Sequence, residues 1–331
     1  RYTSPDADCL ACLLGSCQQP EEKGTGVMST KLSYWPYNTY NWGRWPNDRG
    51  TLNLLTEGTT ARAIASVKTH QTFALGAPLQ ADEIANDTRT YQHKLLRVGD
   101  YIYGPEGEPV QEAADLVSVA IHGMTNSHID AYNHVGHNGK SFNGANFTDN
   151  ISQETGGTRY TIMDNPAIVT RAWLVDVPRG RGVSVLKRGT PVVPDDLLHL
   201  QDQVEPGDAL VIRTGRYATA VVRPDDPGAQ DDHGNWSGLH VDCIDLIAKW
   251  DIATVATDSS GDNFPSTTPE CSVPIHILTE AYLGLPLIHH LFLEEIAGHL
   301  AERSHKDFML TVAPLRIVGG TGSPVSPVGI I

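Results

Sequence analysis

With 331 residues, 40% hydrophobic and 19% charged, the chain has the composition of a globular body, and no apolar run approaches the ~18 residues a membrane span needs. The formal net charge of −15 repels a phosphate backbone, and no basic block interleaved with aromatics offsets that field, which excludes nucleic acid as a partner. Of the five cysteines, Cys9, Cys12 and Cys17 crowd the start and only Cys243 and Cys271 remain for the body, so a disulfide scaffold is excluded and a reducing, cytoplasmic setting is expected.

In chain order, residues 1–34 read as a leader segment, flexible or non-native, rich in turn formers (Pro5, Pro20, Gly24, Gly26) and without the charged start and apolar core of a secretory signal. The chain begins at Arg1, and Met28 would serve as a natural start. Cys9-x-x-Cys12 has no second pair at zinc-site spacing and is set aside. Residues 35–331 are expected to form one domain. From Trp35 the texture changes to Trp42-Gly43-Arg44-Trp45 and Gly50-Thr51-Leu52-Asn53-Leu54-Leu55, a lead-in loop feeding a short helix. Four later runs, 116–121, 167–175, 209–212 and 252–256, have the β-branched composition of buried strands. Helical patterns cover 243–250, 274–283 and 293–303, the last with Glu294-Glu295 at the end where negative charge suits the dipole. Pro206-Gly207-Asp208 reads as a tight turn into a strand. Strands mixed with helices along the chain imply an α/β or α+β layered body.

The chemistry concentrates directly after the run ending at Ile121, in His122-Gly-Met-Thr-Asn-Ser-His128-Ile-Asp130-Ala-Tyr-Asn-His134-Val-Gly-His137. In extended chain His128 and Asp130 project to one face, so a single cation can take an imidazole nitrogen and a carboxylate oxygen together. A loop through Thr125 and Asn126 can fold His122 back as a third ligand, with His134 and His137 above the site. An unligated histidine there can pass a proton between water and a leaving group. A bound cation lowers the pKa of its water from about 15.7 towards ~7. Four histidines and an aspartate so close together are hard to read as scattered surface residues.

Other signals are weaker. No G-x-S-x-G elbow, P-loop or dinucleotide fingerprint occurs, and Gly319-Gly320-Thr321-Gly322 reads as a turn. Nothing local supports Cys271 as a nucleophile. His276 and Glu280, four apart on one helix face, and the doublet His289-His290 can complete a metal site from across the fold, or form an exposed pair and a loop doublet. Asp258, after an apolar run, is either a cleft residue or a turn cap. Trp42, Trp45, Tyr132 and Phe264 are guesses at pocket lining.

These residues resemble the cyclase family that contains bacterial kynurenine formamidases and isatin hydrolases. The resemblance runs from about Trp35 to the C-terminus, with His128-Ile129-Asp130 and His134 matching the signature H-x-G-T-H-x-D-x-x-x-H. Trp42-Gly43-Arg44-Trp45, Gly50-Thr51-Leu52-Asn53, Arg213-Thr214-Gly215 and Gly320-Thr321-Gly322-Ser323-Pro324 support it. It implies an α/β fold in which a β-barrel-like sheet of the swivelling β/β/α type is packed with helices, in a homo-oligomer (dimer or tetramer). It also implies Zn2+ or Mn2+ held by His122, His128 and Asp130, with His134 as the proton-transfer group. The family's first histidine stands four before the second, where this chain has Met124, so His122 enters through the longer H-G-x-T-x-x-H form. His276 lies where the family often has another histidine near a second metal. His289 stands where a glutamate helps hold that metal, which makes one cation the expectation. The function these readings imply is hydrolysis of a small cyclic amide, lactone, formamide or ester through metal-activated water. Phosphoester hydrolysis, cyclisation or dehydration at the same site, and metal binding without catalysis, are the alternatives.

Overall fold

The structure is a computed structural model and is described over residues 40–79, 91–104, 110–124, 126–165, 167–218 and 235–331. The leader, the cysteine cluster and the proposed start at Trp35 lie outside these residues.

Nine strands form the main sheet: β1 (Thr72–Ala74), β4 (His128–Asp130), β7 (Ile168–Asp176), β8 (Ala209–Arg213), β9 (Thr254–Thr257), β10 (Leu287–His289), β11 (Asp307–Val312), β12 (Gly322–Pro324) and β13 (Val328–Ile330). Two small hairpins, β2 (Tyr91–Tyr103) with β3 (Val110–Val119) and β5 (Ile151–Ser152) with β6 (Gly156–Gly157), stand outside it. The sheet order is β1-β13-β11-β7-β8-β9-β10-β4-β12. At its centre β7, β8, β9 and β10 run parallel, and both flanks are antiparallel. This is the curled half-barrel of a mixed α/β protein, with helices packed on it.

The runs expected at 167–175, 209–212 and 252–256 are β7, β8 and β9. Every residue of β8 and β9 is buried, as continuous apolar composition dictates for parallel strands covered on both faces. One apolar layer packs α2 (Cys243–Lys249) through Ile244 and Ile247 onto Leu210, Ile212 and Val255. The opposite layer packs α3 (Glu294–Ala301) through Ile296 and Leu300 with Phe308, Val211 and Ile129. The lead-in loop feeds a 3-10 turn, Gly50–Leu54, and then α1 (Glu57–Ser66). In α1 the Thr56 and Thr59 side chains each accept from the other's backbone N–H, which satisfies two end donors.

The expected turn at Pro206-Gly207-Asp208 is present. Gly207 has φ +87°, and a Cβ there would lie 2.8 Å from the Leu54 carbonyl oxygen, so glycine is required. Asp208, fully buried, accepts from Arg62, Arg171 and the Trp173 indole.

Two expectations need correction. The run 116–121 is not a buried strand: it overlaps the end of β3, whose residues are mostly exposed, in a ribbon joined to no other strand among the described residues. Composition alone does not distinguish a core strand from an exposed apolar one. The pattern over 274–283 starts as helix at Pro274–His276 but continues as a π-helical segment, Ile277–Leu283, a rare form frequently found at functional sites.

Candidate metal centre

β4 is three residues long and lies between β10 and β12, antiparallel to both. Its register sets His128 opposite His289 and Asp130 opposite Gly322. Directly opposed residues share a face, and so do residues two apart on one strand. His128, Asp130 and His289 therefore converge, and all three are buried.

Asp130 is the hub. One oxygen, Oδ1, is 2.8 Å from His122 Nδ1 and 3.6 Å from His128 Nε2. The other, Oδ2, is 2.7 Å from His289 Nε2 and 3.6 Å from His276 Nε2. Among the described residues, three groups have ligand atoms within 4.8 Å of one another: His122, Asp130 and His134; His128, Asp130 and His289; Asp130, His276 and Glu280. The chain thus brings together each expected ligand and the expected proton-transfer histidine.

The imidazoles are held from behind. His128 Nδ1 lies 3.0 Å from the Asn126 carbonyl oxygen, and His122 Nε2 lies 2.8 Å from the Thr321 hydroxyl. His276 Nδ1 is paired with the Asp262 carboxylate, which also accepts the Ile275 N–H at 2.6 Å. A carboxylate or carbonyl on the far nitrogen fixes ring orientation and leaves the near nitrogen as a donor to a cation. Asp262 carried no motif in the sequence, and Thr321 and Asn126 stood in quoted segments without a supporting role assigned to them. Asp262 lies four residues beyond Asp258, and its role appears only when the chain folds back to His276.

His134 is half-buried and its ring stacks face to face on His122, centroids 3.5 Å apart. His137 does not join the cluster: it lies 2.8 Å from the Tyr282 hydroxyl. Asp258 proves structural, since its carboxylate accepts the backbone N–H groups of Thr214, Gly215 and Arg216 and the Thr214 hydroxyl. Thus the Arg213-Thr214-Gly215 turn is tied to the end of β9. Cys271 is buried in the apolar core. Tyr132 is core too, packed with Phe142 and Tyr160, and Trp42 stacks on Tyr282. His290 contacts Arg216 behind His128.

The electrostatics favour a cation or a proton between the two buried carboxylates. Asp130 and Glu280 are both fully buried. Burial, then the Asp130 charge, push the Glu280 carboxyl well up, while the surrounding histidines hold Asp130 well below the usual carboxylate range against its own burial. Glu280 Oε2 accepts the Val135 N–H at 3.0 Å, but its Oε1 is buried without a partner, as is His289 Nδ1. An unpartnered buried oxygen beside a second carboxylate is costly unless a cation or proton sits between them. Burial lowers His128 and His134 to about 3, the Asp130 charge notwithstanding. Both are therefore neutral at physiological pH, with lone pairs open to a cation or a proton. Burial also acts to lower His276, but Asp262 outweighs it and raises that group. This nitrogen and oxygen set fits a divalent cation.

The family profile described as "Putative cyclase" matches residues 51–261, more than half of the chain and all of the His122-to-His134 cluster. The chain belongs to the cyclase family. A solved cyclase of this family is 27% identical with a TM-score of 0.76, covering 88% of this chain and 97% of its own. Isatin hydrolase A from Labrenzia aggregata, bound to benzyl benzoate, has a TM-score of 0.51 at 18% identity, covering 84% and 98% of the two chains. Isatin hydrolase A from Ralstonia solanacearum also has 0.51, at 15% identity over 83% and 97%. These last two share the fold. A search of curated protein sequences finds no match. The cyclase-family profile ends before His276, Glu280 and His289, so that half of the site rests on the geometry of this chain.

Proposed function

We propose that this cyclase-family chain is a metal-dependent hydrolase acting on a small amide, lactone, formamide or ester bond. The observation that carries the reading is Asp130, buried and surrounded by the near nitrogens of His122, His128, His276 and His289. The family and its isatin hydrolase neighbours support the same bond class. His122, His128 and Asp130 are the first ligands, with His276 and His289 on the far side of Asp130. A divalent cation held there, Zn2+ or Mn2+, supplies Lewis acidity to a carbonyl and to a water. Glu280, with His276 and Asp130, offers a second cation position, a departure from the single cation expected from sequence.

The chain's own residues do the rest. His134, neutral and stacked on His122, accepts a proton from the attacking water and returns it to the leaving nitrogen or oxygen. Asp262 keeps the His276 Nδ1–H directed away from the centre, so that Nε2 faces Asp130. The burial of His128, Asp130, Glu280 and His289 puts these groups in a low-dielectric setting that strengthens their interactions.

A panel of esters, lactones, amides, formamides and phosphotriesters, run on wild type and His134→Ala, tests the reading. We expect turnover of acyl substrates that falls by ~10^2 to 10^4 in the variant while cation content is retained. Wild-type acyl turnover by His134→Ala would remove the assigned proton-transfer role, and exclusive phosphotriester turnover would replace the bond class.

A further inference from the structure

None of the residues lining a cavity of about 510 Å3 beside β7 and β11 belongs to the metal centre. The turn Ile162–Asp164 and Asn165 lead into β7 on one side of it, residues 313–316 leave β11 on the other, and Arg49 reaches it from the lead-in loop. The volume suits a small-molecule site, which typically spans roughly 300 to 1,000 Å3 and combines an apolar lining with a few polar groups.

Two arginines give the cavity its sign. Arg49 and Arg316 both line it, and among the described residues neither has a carboxylate within ion-pair distance. The Arg49 guanidinium makes one long bond, 3.4 Å to the Leu52 carbonyl oxygen, and its Nε is buried without a partner. Arg316 is exposed. In a chain with 39 acidic against 24 basic side chains, a guanidinium without a carboxylate is the less expected arrangement, and here two share one cavity. The acidic residue on the wall, Asp164, is turned to Thr161, accepting its backbone N–H and hydroxyl at 2.8 and 3.1 Å. The cavity wall is therefore positive within an acidic chain.

The rest of the lining is mainly apolar, and Met163 and Leu315 on it are 36% and 58% exposed, so an apolar group laid on them removes their surface from water. Asn165 is 6% exposed, with both amide atoms unpartnered, a cost that a polar group arriving from the cavity offsets.

We propose that this cavity is a second small-molecule site, which takes an organic acid with a compact apolar body. The carboxylate meets the guanidinium forks, whose paired N–H groups match its two oxygens, and the body covers Met163 and Leu315. An inorganic anion satisfies only the first of these contacts and a neutral apolar molecule only the second. The inference rests on these residues alone and not on the reading of the metal centre.

The test is calorimetric titration of the metal-stripped full chain with benzoate, 2-hydroxybenzoate and hexanoate, alongside benzyl alcohol and sulfate. Wild type is compared with Arg49→Gln and Arg316→Gln, and circular dichroism verifies the fold of each. Because Arg316 is exposed, its variant keeps the test open should the Arg49 variant fail to fold. The expected result is saturable one-to-one binding of at least one carboxylate, weakened ~10-fold or more in each folded variant, with no saturation by benzyl alcohol or sulfate at the same concentrations. Wild type that binds none of the three carboxylates, or a folded variant that binds them as tightly as wild type, would overturn the proposal. So would benzyl alcohol or sulfate binding as tightly as the carboxylates, since the charge or the apolar body would then contribute nothing. Each of these results leaves the hydrolase reading standing, and a failure of the metal reading leaves this measurement unaffected.

Discussion

Asp130 owes its reach to two oxygens that point to different imidazoles, Oδ1 to His122 and His128, Oδ2 to His289 and His276. Removing the support behind one of these rings tests whether orientation matters as much as identity. With Asp262→Asn the His276 ring loses its charged partner, and cation affinity measured by calorimetric titration should fall by ~10- to 100-fold with the fold retained. An unchanged affinity would reduce Asp262 to a structural anchor for the Pro274 turn. At this scale the sequence revealed His128 and Asp130 because two residues of one strand share a face. His276 was reached through its spacing to Glu280 on a helix face and His289 through the His289-His290 doublet, both with the family resemblance. Asp262 could not be read, and Thr321 was read only as part of a family-matching ending, since each meets its histidine only through tertiary folding.

The short strand β4 presents His128 and Asp130 on one face, held in place because β10 and β12 clamp it from either side. Gly322 is the tightest point of that clamp: a Cβ would lie 2.7 Å from the Ile129 carbonyl oxygen and 2.8 Å from His122 Cε1. Gly322→Ala should therefore cost ~1 to 3 kcal/mol of stability and weaken cation binding by displacing His122. Thermal unfolding and a cation titration read the two effects, and an alanine variant matching wild type in both would show that the β12 backbone yields freely. Elements with long, uniformly apolar runs, such as β8 and β9, were legible because burial on both faces leaves that imprint. The run 116–121 carries the same imprint on an exposed ribbon, so its composition pointed to the wrong environment. The π-helical form of Ile277–Leu283 leaves no periodic mark distinct from that of an α-helix over seven residues, yet it carries Glu280 into the centre.

Across the whole molecule the buried histidines couple folding to pH. His128 and His134 have an ordinary value of 6.5, lowered by burial to about 3 in the fold. The unfolded chain therefore binds more protons than the folded one between those values. Their contribution is intact above pH 6.5 and is lost as the pH falls towards 3. Urea midpoints of the metal-free protein should decline over that window, and a flat profile would show that these rings are not held neutral. Bound cation adds stability in proportion to the logarithm of its concentration over Kd. The sheet topology, with four parallel strands inside antiparallel flanks, was legible only as a mixed α/β body, because strand order is set by crossovers that leave no local trace. The account depends most on a cation at Asp130, and a calorimetric titration of metal-stripped wild type and Asp130→Asn with Zn2+ or Mn2+ tests it directly. Saturable binding by the wild type, lost or weakened at least a hundredfold in the variant, is the predicted result. A variant that binds like wild type, or a stripped wild-type enzyme that remains fully active, would contradict it.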